Sequence, residues 1–283
     1  MILIFDTWNG LCNQILDIQC SIYFATKYNF QFTFRNCSFR KDDLKTFYSK
    51  KFDLLFDIQP FLKFKGFLKF ENIQMNIKND NIYNQEGLSI LSKIKNESEL
   101  LELIDNQKNN DIQYFVIKQL FPICDFSIQK NKFYNKIKPA PNLFSIYLHF
   151  KEKHLPKQYN FIHYRYENDF TEFFNINYVI SIDSLINHQK FKNKKLNIYI
   201  ASSNLKKLSK TLYLTNDIYD YDNIIFKDDY LNQHNLTHLN FEQKAFIDFL
   251  IGLSSCEVIG HTKSSFSKLL HLYKQTKLFY DIY

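Results

Sequence analysis

Four ionisable side chains, His163, Arg165, Glu167 and Asp169, alternate with other residues near the middle of the chain. The run Tyr159 to Ile162 leads straight into them, so a buried strand is expected to end in a cluster of charge. In open α/β sheets, ligands bind in the crevice beyond the carboxyl ends of the strands. While the strand lasts, alternation sets His163, Arg165 and Glu167 on one side, with Tyr164 and Tyr166 on the other. An Arg beside a His suits an anionic ligand, because the planar guanidinium grips two phosphate oxygens at once. An ion pair of Arg165 with Glu167 or Asp169 accounts for the same residues without a ligand.

Two further stretches have the chemistry of an anion or sugar site. Near the N-terminus, Gly10-Leu11-Cys12-Asn13-Gln14 follows a short apolar run and opens a stretch with helical spacing. That places Asn13 and Gln14 in a first helical turn, among free backbone N–H groups and the positive end of the helix dipole. Near the C-terminus, Gly260-His261-Thr262-Lys263-Ser264-Ser265-Phe266-Ser267 repeats the arrangement, a Gly turn followed by a Ser-rich helix start. Ordinary turn and capping chemistry, with Asn13 or a Ser as the cap, explains each stretch equally well.

The elements that must position these residues can be read from periodicity. Ile2 to Phe5 is a strand, Leu11 to Tyr28 a helix (Leu11, Ile15, Ile18, Ile22, Ala25) and Phe30 to Phe34 a second strand, the βαβ opening of a Rossmann-like domain. Lys41 to Lys51 predicts a short helix, and Phe52 to Phe70 is rich in aromatics without a period. Ser98 to Ile104 predicts a helix and Gln113 to Lys118 a strand. Pro139-Ala140-Pro141-Asn142 reads as a linker before a helix over Leu143 to Lys153, and the domain boundary is placed at 155/156. Helices are then expected over Tyr178 to Phe191, Ser203 to Leu214, Phe241 to Leu253 and Leu269 to Tyr273, with strands at Leu196 to Ala201, Ile224 to Phe226 and Glu257 to Ile259. That alternation is a second α/β unit with a parallel sheet.

Composition limits the function classes. The 283 residues suffice for one large α/β domain or two of about 140 residues each. A hydrophobic fraction of 45% with 23% charged residues places the chain among globular proteins. The net charge of +7 favours an anionic ligand, and it is too dispersed to argue for nucleic acid. Lys63, Lys65 and Lys69, interleaved with Phe, read as an amphipathic edge with lysine stems over core aromatics. Five widely spaced Cys without a C-x-x-C pair read as reduced, mostly buried thiols, with no zinc site. No window reaches the run of about eighteen apolar residues that a membrane span needs, and a signal peptide is not evident. The expectation is a cytoplasmic protein.

The three motifs, in this order along nearly the whole chain, resemble those of GDP-fucose-dependent fucosyltransferases. The likeness is closest to the protein O-fucosyltransferase group and its plant relatives, and looser to the alpha-1,2 and alpha-1,6 enzymes. The resemblance implies a two-domain GT-B-type α/β fold, with an acceptor-side domain over residues 1–155 and a nucleotide-sugar-binding domain over 156–283. It also implies inverting, metal-independent transfer of fucose from GDP-fucose to a protein or glycan acceptor. On the same basis Arg165 binds the diphosphate and stabilises the leaving group, and His163 contacts the nucleotide. Ser264, Ser265 and Ser267 serve the phosphates, Phe266 lies near the guanine or ribose, and Asp248 near the nucleotide. Asn13, in the turn that Gly10 opens, lies near the transferred sugar. The glutamate that some members carry in that turn is absent: Asn9-Gly10 stands there, with no acid between it and Asp17. Glu167 and Asp169 are the acids nearest the diphosphate site, as base or as struts for Arg165. The alternatives are another GDP-sugar donor on the same fold, or a non-catalytic module of this fold that binds a nucleotide or glycan.

Overall fold

A computed structural model describes residues 1–41, 46–84, 94–120, 137–165, 196–202, 224–261 and 263–274. Within it the chain divides into two compact units, Met1–Pro141 and Asn142–Tyr283.

The first unit opens with β1 (Ile2–Asp6), in which Leu3, Ile4 and Phe5 are buried, as the centre of a sheet covered on both faces requires. Helix α1 (Leu11–Lys27) buries Ile15, Ile18, Ile22 and Ala25, the apolar stripe of its sequence. β2 (Gln31–Arg40) runs parallel to β1 and is twice the length expected. Beyond Phe34 it pairs with β3 (Phe47–Lys51), which is antiparallel to it, with Arg40 opposite Phe47. The short helix expected over Lys41 to Lys51 is thus corrected for its second half, and residues 42–45 lie outside the described set. Phe47 and Tyr48 are half-buried while Ser49, Lys50 and Lys51 are exposed, a pattern that an edge strand tolerates and that carries no apolar period.

Phe52 to Phe70 lacks a period because it is built from two 3₁₀ turns, Phe52–Leu54 and Gln59–Lys63. They place Phe52 and Phe61 at 4.7 and 5.3 Å from the Phe34 ring, while Lys63 and Lys65 stay exposed. Then follow α2 (Phe70–Gln74), β4 (Ile82–Asn84), α3 (Glu97–Lys108) and β5 (Tyr114–Lys118). The strand order β3-β2-β1-β5-β4 places successive connections on opposite sides of β1. A ligand crevice is expected at such a reversal, beyond the carboxyl ends of β1 and β5.

The second unit begins with α4 (Pro141–His154). Its Tyr147 hydroxyl donates to Ser254 Oγ at 3.1 Å, and its Phe150 ring meets Tyr199 edge to face at 6.1 Å. These contacts tie α4 to the second sheet, so the chain divides before this helix rather than at 155/156. β6 (Tyr159–His163) is buried at every position and pairs in parallel with β7 (Asn197–Ala201). β8 (Ile224–Ile225), α5 (Lys227–Gln233), α6 (Phe241–Ser254), β9 (Val258–Ile259) and α7 (Ser265–Lys274) complete the described part. A capping box between Asn240 and Gln243 fixes the start of α6. The four strands are all parallel, in the order β8-β7-β6-β9, so the reversal falls between β6 and β9. The helices expected over 178–191 and 203–214 lie outside the described residues. Among those described, no helix is long and apolar enough to cross a membrane. Cys12, Cys20 and Cys37 are buried thiols, and Cys256 is an exposed one.

Candidate functional site

The reversal in the second unit brings two of the three sequence motifs together. β6 ends at His163, and the Tyr164 N–H still bonds to the Ala201 carbonyl, so Arg165 leaves the sheet at its carboxyl edge. β9 ends at Ile259, and Gly260 begins the turn into α7. Gly260 is required for the close approach of the two: a Cβ there would lie 2.8 Å from Ser267 Cβ and closer still to Ser267 Oγ. Ser267, fully buried, accepts the His261 N–H at 3.0 Å and shares a 2.7 Å hydrogen bond with His163 Nδ1. Phe266 stacks on the His163 ring at 4.3 Å, and Phe249 of α6 meets Phe266 edge to face at 5.4 Å. His261 Nδ1 accepts the Lys263 N–H at 3.0 Å, which closes the turn.

Burial, with the charge of Arg165 and then His261 beside it, holds the His163 imidazole well below its ordinary value. His163 is therefore neutral at pH 7, and Arg165 carries the positive charge of the pair. Arg165 is half-buried, as are Ser265 and Phe266, whereas Ser264 and Ser267 are buried. The first turn of α7 thus leaves Ser265 and Phe266 half-exposed and uses Ser267 as an internal strut. Ser202, immediately after β7, has a buried hydroxyl without a hydrogen-bond partner among the described residues. It lies at the same sheet edge, one residue beyond the strand next to His163. Its type gave no signal in the sequence.

Asp248 is buried in α6. Its Oδ1 accepts from the Tyr199 hydroxyl, and its Oδ2 lies 2.8 Å from Lys227 Nζ, with Asp228 a more distant second partner of Lys227 at 3.8 Å. Burial raises the Asp248 carboxyl, against the opposing pull of Lys227 and Tyr199. For Lys227, burial favours the neutral amine, but the Asp248 and Asp228 carboxylates together outweigh it and keep the group charged. Both oxygens of Asp248 are therefore engaged within the protein. Lys227, at the start of α5, carried no signal in the sequence because its partner is brought to it only by the sheet order.

In the first unit, the turn between β1 and α1 is held by Gln14. Its Oε1 accepts from Thr7 Oγ1 at 2.8 Å and from the Ser38 N–H at 3.1 Å, and its Nε2 donates to the carbonyls of Asn9 and Ser38, both at 2.8 Å. That uses the whole hydrogen-bonding capacity of a fully buried amide. Asn13 beside it is half-buried, and the α1 N-cap, Gly10, supplies no side-chain hydrogen bond to the first turn. Arg40 packs directly over Gly10, where an added Cβ would collide with the guanidinium and lie 3.4 Å from its Cζ. Burial pushes the neighbouring Cys12 thiol up, against the charge of Arg40. An acid precedes this turn: Asp6, at the end of β1, is paired in bidentate fashion with Arg35 and accepts the Asn36 N–H at 3.0 Å.

His163, Arg165, Ser264, Ser265, Phe266 and Ser267 thus share one sheet edge, with Asp248 in the adjoining helix layer. Gly10 and Asn13 share the equivalent edge of the first unit. Glu167, Asp169 and Thr262 lie outside the described residues.

No protein-family model matches the sequence, and no curated protein matches it significantly. Solved structures do resemble it. POFUT1 in complex with GDP-fucose is 12% identical over 99% of this chain and 97% of its own, with a TM-score of 0.62. The NodZ alpha-1,6-fucosyltransferase co-crystallized with GDP is 10% identical over 95% of this chain and 91% of its own, with a TM-score of 0.60. The fucosyltransferase NodZ from Bradyrhizobium is also 10% identical, over 95% and 92%, with a TM-score of 0.57. The fold is therefore the GT-B-type α/β fold of these fucosyltransferases, which the three motifs led one to expect.

Proposed function

We propose that the protein is a fucosyltransferase that moves fucose from GDP-fucose to a hydroxyl of a protein or glycan acceptor, with inversion and without a required metal. The observation that carries this reading is the meeting of Arg165, neutral His163 and the first turn of α7 at the β6–β9 reversal. The fold similarity to POFUT1 and NodZ supports it. As the glycosidic bond breaks, negative charge grows on the departing diphosphate. Arg165 and the N–H groups at the start of α7 neutralise that charge in place of a metal ion. His163, uncharged, packs against Phe266 and leaves Arg165 as the local positive charge.

In this reading Ser202, Ser264 and Ser265 take the phosphates and Phe266 takes the guanine or ribose. Ser267 holds His163 in place, and Asp248 acts through Tyr199 and Lys227 by fixing α6 against β7. Asn13, at the turn that Gly10 opens, serves the transferred sugar. The acceptor hydroxyl passes its proton to a carboxylate, Glu167 or Asp169.

A thermal-shift screen of GDP, GDP-fucose, GDP-mannose and UDP-sugars, followed by an assay of GDP release from GDP-fucose, tests the reading. A ligand at a hundred times its dissociation constant stabilises by about 2.7 kcal/mol. Stabilisation by guanine nucleotides together with acceptor-dependent release is expected. Saturable GDP binding with no release from GDP-fucose, whatever the acceptor, would leave a non-catalytic binding module. Faster release from GDP-mannose than from GDP-fucose would point to another donor.

A further inference from the structure

The carboxyl edge of the first sheet carries a cluster that the donor chemistry does not use. Trp8, two residues past β1, lies 5.8 Å from the Phe47 ring. Lys118, the last residue of β5, places its Nζ 3.4 Å from the Trp8 ring centre, and the Arg40 guanidinium lies 5.7 Å from the Phe47 ring. All four side chains are half-buried at the rim and none belongs to the core, whose aromatics around Phe34 lie elsewhere. Gln119 follows Lys118 directly. It is buried with a left-handed backbone (φ 62°), and its Oε1 has no hydrogen-bond partner among the described residues. A buried amide oxygen without a partner, on a backbone that a non-glycine residue seldom adopts, is costly for folding and calls for a ligand donor. Asn9, next to Trp8, has the same unusual conformation (φ 78°), pinned because its carbonyl accepts from Gln14 and Ser38.

We propose that Trp8, Arg40, Phe47, Lys118 and Gln119 form a binding site for an acidic saccharide, a glycan bearing carboxylate, sulfate or phosphate groups. The ring faces that Lys118 and Arg40 do not cover, negative in their quadrupole, receive the C–H face of a pyranose ring. Arg40 and Lys118 meet its anionic groups, with Arg40 offering a planar fork. Gln119 Oε1 accepts from a ring hydroxyl. Two cations set around aromatic rings, with an unpartnered acceptor on the residue after Lys118, fit a charged sugar better than a neutral one. With the transferase reading, on which this step rests, the site names the acceptor class: the hydroxyl to be modified belongs to an acidic glycan.

Trp8 is the single tryptophan of the chain, so its fluorescence reports on this site alone. The full-length protein is titrated with oligogalacturonate, a sulfated oligosaccharide and, as neutral control, a chitin oligosaccharide of equal length. A saturable change in Trp8 emission is expected with an acidic saccharide and not with the neutral one, weakening as salt is raised. Arg40→Met and Lys118→Met should each weaken it about tenfold or more, and Gln119→Leu less, while stabilisation by GDP stays as in the parent protein. An equal response to neutral and acidic saccharides, or no response to either acidic one, overturns the proposal. So does a response confined to polyglutamate or a single-stranded oligonucleotide. If acidic saccharides bind while no guanine nucleotide stabilises the protein, the donor reading fails and the saccharide site stands.

Discussion

Arg165 owes its position to the end of β6. The strand is hydrogen-bonded through Tyr164, so the guanidinium is carried just past the last fixed point of the sheet, beside a ring that cannot compete with it for charge. Arg165→Ala is expected to lower turnover by about two orders of magnitude or more, as loss of one donor to a developing anion does elsewhere. Arg165→Lys, keeping charge but losing the planar fork, should recover only part. Steady-state rates of GDP release measure both. His163 yields a separate expectation. Its folded value is depressed below the ordinary value of about 6.5, so as pH falls the unfolded chain takes up the proton first. The contribution is complete above about pH 6.5 and is lost as the pH falls from there toward the folded value, by at most about 1.4 kcal/mol per pH unit. Denaturant midpoints between pH 7.5 and 5.5 should therefore fall more steeply for the parent protein than for His163→Gln; parallel slopes would remove His163 as the cause. His163, Arg165 and the Ser-rich turn were legible because each sits at a sequence boundary between an apolar run and polar residues. Lys227, Ser202 and Gln119 were not, since what marks them is a partner, or the want of one, that exists only after the strands are ordered.

At the scale of elements, the second unit is tied by one buried triad. Lys227 at the head of α5, Asp248 in the middle of α6 and Tyr199 in β7 meet around a single carboxylate. Lys227→Met would leave that carboxylate buried with only a phenol as donor, an uncompensated charge of the kind that costs about 3–5 kcal/mol. Asp248→Leu leaves the ammonium only Asp228, at 3.8 Å, and should cost less, while the double substitution Lys227→Met, Asp248→Leu should recover much of the loss, because no buried charge is then left unpaired. Urea unfolding of the three variants measures this, and additive losses would show that the residues act separately. The elements that the sequence foretold, such as α1, α6 and β6, each bury one uninterrupted apolar pattern. β3 defeated the reading because Phe47–Lys51 is an edge with charged, exposed positions, and Phe52 to Phe70 because 3₁₀ turns distribute its Phe side chains without any single period. In both cases tertiary pairing with β2 supplies the order that local spacing lacks.

For the whole molecule, the two-unit α/β organisation follows from the alternation of strand and helix patterns, but the position of the division does not. Pro139 to Asn142 reads as a linker and 155/156 as the boundary, and local spacing does not say to which unit the helix between them belongs. The packing decides it: Tyr147 and Phe150 are buried, and their ring and hydroxyl partners, Tyr199 and Ser254, belong to the second unit. Burying side chains of this size is worth about 1.5–3 kcal/mol each, against a total stability of about 5–15 kcal/mol for a domain. A fragment of residues 156–283 loses both, and uncovers Tyr199 and Tyr159 beneath them. A fragment of residues 142–283 keeps the whole layer. The longer fragment is expected to give a cooperative thermal transition and to be stabilised by GDP, since Arg165 and the α7 turn are within it. The shorter one is expected to unfold without a sharp transition and to aggregate. Circular dichroism melts and light scattering of the two fragments separate these outcomes. Equal behaviour would mean that α4 contributes nothing to the second unit, and failure of GDP to stabilise a well-folded longer fragment would place essential nucleotide contacts in the first.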